Sequence, residues 1–355
     1  MRIPLPFLAL LGLSVAVGAE ANLVMVPSLT RPVTVTMSGS ATGAASAAPF
    51  ASDAWWLGFQ DDTLNALILA ARHHASGVPG TTAMLTVAGD ALALPLDMQV
   101  AAAYVSAKVD SIGIELIREA MAATRREAEL MAAGTLSEVN RSVLQQRMAD
   151  AVAAERTLVD RRAMLLALLS TRCGMGTQAL EALVMPALAE QRLPQFTARL
   201  PEQPPMDWVF KRQDVVLAQA LRAIAAPSRT TAGNDGYLHG LVAHATAEIS
   251  AAVHELQAQH VETAALEAQA TNVRRSLEDA LARQQDGSGS ELDVLERYQQ
   301  LMLYSQQFSS ASGALALGWI KLLYRLQGAL GATADGSAWP ASQPPSQGAL
   351  QRPLI

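Results

Sequence analysis

The chain has 355 residues, a formal net charge of −6 at pH 7, 5% aromatic residues and one cysteine. An acidic balance spread along the chain is unsuited to a nucleic-acid surface, which needs clustered Lys and Arg against phosphate. A single cysteine leaves no intramolecular disulfide, and an alanine-rich, aromatic-poor composition suits closely packed long helices better than a thick globular core.

In chain order, residues 1–21 read as an export signal peptide: Arg2, an apolar run, then small residues at Ala19-Glu20-Ala21. Residues 22–50, rich in Ala, Ser, Gly and Thr, are predicted to be a disordered linker. A first helical repeat is expected over 51–200. It opens with the amphipathic helix of "DAWWLGFQDDTLNALILAAR", followed by "GVPGTTAMLTVAGDALALPL", which has room for one short strand such as Thr82 to Val87. Val109, Leu116, Ala123 and Leu130 then recur every seven residues along an outgoing helix, and Leu144, Ala151, Leu158 and Leu165 along a returning one.

The Pro-rich "RLPEQPP" leads into a second repeat over 205–331, opening with "PMDWVFKRQDVVLAQALRAI". The next stretch, "APSRTTAGNDG", is predicted to hold no strand. From Leu238 the apolar positions step by three and four through Val242, Ala245, Ile249, Ala252 and Leu256, then Thr263, Leu266, Ala270, Val273 and Leu277. Sustained so long, that 3.5-residue period implies left-handed coiling around a neighbouring helix. The returning arm carries Leu301, Phe308, Leu315 and Leu322, interleaved with Ser305, Ser312, Trp319 and Leu326. Residues 332–355 are predicted to be a disordered tail.

The two repeats share more than a period. "GTLSEVNRSVLQQR" from Gly134 and "GSGSELDVLERYQQ" from Gly287 lie 153 residues apart (134 against 287), and the same offset pairs Trp55 with Trp208 and Asp61 with Asp214. This is an internal duplication. At each of Gly134 and Gly287 a left-handed residue is expected to close a helix. Thr135-x-x-Glu138 and Ser288-x-x-Glu291 are capping boxes that open the next, with Ser137 and Ser290 as alternative caps. The predicted fold is therefore all-α: two pseudo-repeated long coiled-coil hairpins with short flanking helices, in arms of about 36 to 48 residues reaching about 55 to 70 Å.

Duplicated units, the opening helix Phe59, Asp61, Leu64, Leu67, Ile68, Ala71, the mid-chain "KRQDV" and the tip "GSGSELDVL" together resemble the TolC-like outer-membrane efflux channels over roughly residues 53 to 331. The resemblance implies a homo-oligomer, specifically a trimer, whose hairpins form a hollow periplasmic α-barrel docking on a periplasmic adaptor protein of an inner-membrane pump. By position it implies that Gly134, Ser137, Glu138, Gly287, Ser290 and Glu291 are the adaptor-docking tips. It also implies an exported protein of the periplasm or outer membrane in a Gram-negative bacterium, serving a tripartite efflux or secretion system as a passive conduit. One departure is large: a barrel strand crossing a membrane needs about 9 to 11 alternating residues, and neither repeat has room for a full set. A non-transporting periplasmic scaffold or assembly protein derived from such a channel is the alternative.

Other candidate chemistry is sparse. No serine-hydrolase elbow, phosphate-binding loop or dinucleotide fingerprint is present, so neither an enzyme nor a cofactor is expected. His244 and Glu248 have the i, i+4 spacing of a two-ligand metal clamp, but no third ligand is evident and surface residues are the simpler reading. Trp55, Trp56 and Trp208 could make a ligand platform or anchor the short helices. Cys173 reads as a buried small apolar residue. Arg125-Arg126, Arg161-Arg162 and Arg274-Arg275 read as solvated helix faces, and Asp61 and Asp214 as caps of their helices or partners of the nearby Arg212, worth about 0 to 1 kcal/mol as exposed pairs.

Overall fold

The computed structural model describes residues 54–76, 85–87, 90–92, 94–132, 138–196, 200–225 and 231–327. The predicted signal peptide, linker and tail lie outside them, as do Gly134, Thr135 and Ser137.

A 3-10 helix over Trp55–Phe59 leads into α1 (Asp62–Ala75), then two strands, β1 (Leu85–Val87) and β2 (Asp90–Leu92), then α2 (Leu96–Ala132), α3 (Glu138–Cys173) and α4 (Thr177–Ala189). The second repeat comprises α5 (Met206–Phe210), α6 (Gln213–Ala225), α7 (Thr231–Gln285) and α8 (Glu291–Gln327). The duplication is visible in the hinges: α2 ends at 132 and α7 at 285, while α3 begins at 138 and α8 at 291.

The four long helices stand side by side in the order α3, α2, α8, α7, with α2 packed along both α3 and α8, and α7 packed along α8. Position in that row decides burial. On α8, every predicted stripe residue from Leu301 through Leu326 is buried, because neighbours cover it on two sides. On α3, at an edge, Leu144 is buried while Ala151, Leu158 and Leu165 are only half-covered. Close approach of α2 and α8 depends on Gly313: a Cβ there would lie 2.3 Å from Val109 Cγ2. One buried cluster, at the base, joins the 3-10 helix, α1, α2 and α4 to the ends of α7 and α8. A smaller one, toward the tips, joins Leu116 and Ala123 to Leu277, Val294, Leu295 and Tyr298.

Two expectations are corrected. The first repeat holds two strands rather than one, paired antiparallel with Leu85 opposite Leu92 and Val87 opposite Asp90. Each is three residues long, against the roughly 9 to 11 that cross a bilayer. The outgoing arm of the second repeat is also longer than expected, at 55 residues, or about 82 Å. It continues upstream through "TAGNDGYLHG", whose three glycines disguise it as a loop. Among the described residues no helix is long and apolar enough to cross a membrane.

Candidate docking site

The described hairpin tip is built from its termination signal upward. At the end of α7, Gly287 adopts φ +75, a left-handed conformation that costs glycine nothing. Its N–H donates to the Gln284 carbonyl at 3.1 Å, and the Ser288 N–H donates to the Arg283 carbonyl at 2.9 Å. Those two bonds are the pair that satisfies a helix end through a Schellman motif. Gly289 is needed for a different reason: a Cβ there would stand 2.9 Å from Arg283 Cβ and 3.0 Å from backbone atoms. The chain is thus turned tightly against the helix it has just left.

The next helix starts on Ser290, whose Oγ accepts from the Asp293 N–H at 3.1 Å. Of the two caps the sequence offered, the structure uses this one. Ser288 instead donates its hydroxyl back to the Arg283 carbonyl at 3.3 Å, so the capping box Ser288-x-x-Glu291 does not form. That frees the Glu291 carboxylate to reach across to the first hairpin. It accepts from Arg126 Nε at 2.7 Å and from Nη2 at 3.2 Å. Its hydrogen bonds to Glu291, then that to Glu129, hold the Arg126 guanidinium above its ordinary pKa. Gly287, Ser288 and Ser290 remain exposed at the extremity. Glu138 opens α3 at the corresponding place in the first repeat.

Further contacts bind the two hairpins just behind the tip. The Tyr298 hydroxyl donates to Glu119 at 2.9 Å and the Gln299 amide donates to Glu127 at 2.9 Å. Burial, then the hydrogen bond to Glu119, pushes the Tyr298 phenol well above its ordinary pKa. Arg126, Glu119 and Glu127 were not legible as tip residues, since their partners lie more than 160 positions away in the chain. Arg126 had read as half of a solvated doublet. Arg161, in the other doublet, pairs with the fully buried carboxylate of Asp110 on α2.

At the opposite end, the repeat-related aspartates take the two roles expected, a cap for Asp61 and a pair with Arg212 for Asp214, but both are half-buried rather than exposed. Asp61 caps α1 by accepting from the Leu64 N–H at 2.9 Å. It also accepts from the Tyr104 hydroxyl at 3.0 Å and lies 3.6 Å from the Lys108 ammonium, whose side chain is 3% exposed. Burial pushes the Lys108 pKa down and the Asp61 charge pulls it back up. Asp214 instead receives Arg212, two residues away, at 2.6 Å; Arg212 also donates to Glu248 at 2.8 Å. Glu248 accepts as well from Arg325 at 2.6 Å and sits 3.7 Å from His244 Nε2, so the proposed metal clamp is an arginine-bound carboxylate. Among the described residues no group of three or more potential metal ligands occurs.

Trp55 and Trp56 are buried and meet edge-on with ring centroids 6.0 Å apart, which is packing geometry. Trp55 and Trp208 both face a cavity of about 240 Å³ that Leu323, Leu326 and Gln327 also line. Cys173 is buried and donates to the Leu67 carbonyl at 3.4 Å.

No protein-family model matches the sequence, and no curated protein matches it. Among solved structures, the chain is similar to the transmembrane channel protein CusC, at 15% identity and TM-score 0.47, covering 66% of this chain and 77% of that one. It is similar to the outer-membrane channel OprN, at 16% identity and TM-score 0.47, covering 84% and 99%. It is also similar to the outer membrane protein VceC of Vibrio cholerae, at 16% identity and TM-score 0.47, covering 75% and 74%.

Proposed function

We propose that this chain is an exported component of a tripartite efflux or secretion assembly, a passive helical conduit wall in the periplasm or against the outer membrane. Its organisation would be that of the sequence reading: signal peptide 1–21, linker 22–50, repeats over 51–200 and 205–331, and tail 332–355. The hairpin tips dock a periplasmic adaptor of an inner-membrane pump. Gly287 and Ser290 present the surface and Glu291 fixes its position; Gly134, Ser137 and Glu138 do the same on the first hairpin. The wall closes as a homotrimer, each protomer's α3 edge meeting the next protomer's α7 edge.

The observation that carries this reading is the coupling of tip to wall. Two long hairpins that end together are tied side by side through Arg126 and Glu291, yet Gly287, Ser288 and Ser290 stay exposed beyond the tie. A turn needing only to reverse the chain would need no such registration between hairpins. The short strands favour a second reading, a non-transporting scaffold that keeps the hairpins.

Deleting the gene and restoring it with Ser290→Arg or Gly287→Pro separates the two. A conduit docked by its tips loses solute tolerance on deletion, and neither variant restores it although both retain helical circular dichroism. Unchanged tolerance on deletion ends the transport reading. Full rescue by Ser290→Arg ends the docking role of the tip.

A further inference from the structure

The most conspicuous unsatisfied surface lies on α6. Leu217, Leu221 and Ile224 fall on one helical face and are 42%, 55% and 75% exposed. At the repeat offset they correspond to Leu64, Ile68 and Ala71 on α1, each 0% exposed. The same element of the same duplicated unit is therefore covered once and bare once. On α1 the cover comes from α2, α3 and α4, with α4 contributing Leu180 and Val184 to the cluster that holds the α1 face. α4 is the segment that follows the returning arm. In the second repeat, the segment that follows the returning arm is residues 328–355.

We infer that the apolar face of α6 is the docking site of the chain's own residues 328–355, with Trp339 seated against Leu217, Leu221 and Ile224. Two observations select this occupant. The returning arm ends beside the site: Leu323, Leu326 and Gln327 share one cavity with Trp208 and Lys211, which lead directly into α6. The reach is sufficient, because 328–339 can extend up to about 40 Å, whereas the 13 residues of α6 are about 20 Å long. Trp339 brings a large apolar side chain to a face whose burial is favourable at about 25 cal/mol per Å². The inference does not depend on the conduit reading, since it concerns one chain folding upon itself.

Cysteine pairs in the full-length protein, with Cys173→Ala as background, test it. Leu221→Cys with Ala341→Cys should close an intramolecular disulfide on mild oxidation, seen as a faster-migrating monomer on a non-reducing gel. Gln219→Cys with Ala341→Cys, on the opposite side of α6, should stay open. As a single cysteine, Leu221→Cys should react with maleimide about ten-fold more slowly than Gln219→Cys, a protection worth about 1.4 kcal/mol of docking, and adding Trp339→Ala should abolish the difference. Equal closure at 219 and 221 overturns the inference. So does a Leu221→Cys disulfide between two chains, which assigns the face to a second copy. Protection that appears only with phosphatidylglycerol vesicles overturns it too, and assigns the face to lipid.

Discussion

The two repeats hold the same half-buried aspartate in different ways. In the first, Asp61 draws its cation, Lys108, from about three turns into the long helix α2; in the second, Asp214 draws Arg212 from two residues upstream. The repeat position of Lys108 is Val261, an exposed residue, and that of Arg212 is Phe59, a buried one. Compensation for a half-buried carboxylate has thus moved from a long-range contact to a local one. In the first repeat the contact clamps α1 onto α2, while in the second α6 rests on α7 with a bare outer face. A duplicated unit keeps the group that caps its helix and leaves the partner free to change, provided some cation remains within reach.

Removing each aspartate should expose this difference more strongly than any other change. Asp61→Ala leaves the Lys108 ammonium buried without its counter-ion, and breaking a buried pair from one side costs about 3–5 kcal/mol. Asp214→Ala leaves Arg212 still bound to Glu248, so the loss is that of a charged hydrogen bond, about 1.5–3 kcal/mol. Urea denaturation of the two variants measures both. Equal losses would show that the repeats are electrostatically equivalent. Lys108→Met added to Asp61→Ala should recover part of the first loss and none of the second.

A smaller difference lies at the ends of the returning arms. Cys173 closes α3 onto α1 through the Leu67 carbonyl, whereas its repeat partner, Leu326, faces the cavity from which the chain departs. Burial pushes the Cys173 thiol up from 9.0 to about 11. Because the folded value lies above the unfolded one, the stability linked to this group is complete below about pH 9. It falls as pH rises toward 11, since the unfolded chain releases the proton first. Cys173→Ala should flatten that part of the stability profile, measured by thermal denaturation between pH 8 and 11. The native thiol should resist iodoacetamide at pH 8 until denaturant is added. Rapid alkylation of the native protein would mean that the α1 and α3 ends separate.

Legibility followed the range of the interaction. The hinges were readable because Gly287 and Ser290 act within a few residues of themselves, and the α8 stripe because its seven-residue period is local. The order of the row was not readable, nor were the ties between hairpins, since Arg126 and Glu291 are 165 positions apart. Ser288 and Ser290 offered two caps of similar quality; the structure uses Ser290, and Glu291 instead pairs with Arg126 of the other hairpin. The cap at Asp61 and the Arg212 pair at Asp214 were readable because they are local, but the partial burial of both aspartates was not, since their surroundings come from α2, α7 and α8.

The upstream end of α7 failed differently, and it yields the mildest test of the comparison. Where the first repeat spends its residues on two three-residue strands, the second continues one helix through Gly236 and Gly240. At neither glycine would a Cβ meet anything within 4 Å, and neither has a positive φ. No close approach or left-handed turn requires glycine there, so each only raises the entropy lost on forming the helix. Gly236→Ala and Gly240→Ala should each stabilise the chain by about 0.5–1 kcal/mol, with a small gain in helical ellipticity. Gly287→Ala, at φ +75, should destabilise by about as much, because there alanine must adopt the left-handed region. Opposite signs from the same substitution in one hairpin would mark its first turns as plain helix and its tip as a built reversal. A loss at Gly240 would instead place an unrecognised neighbour against the start of α7.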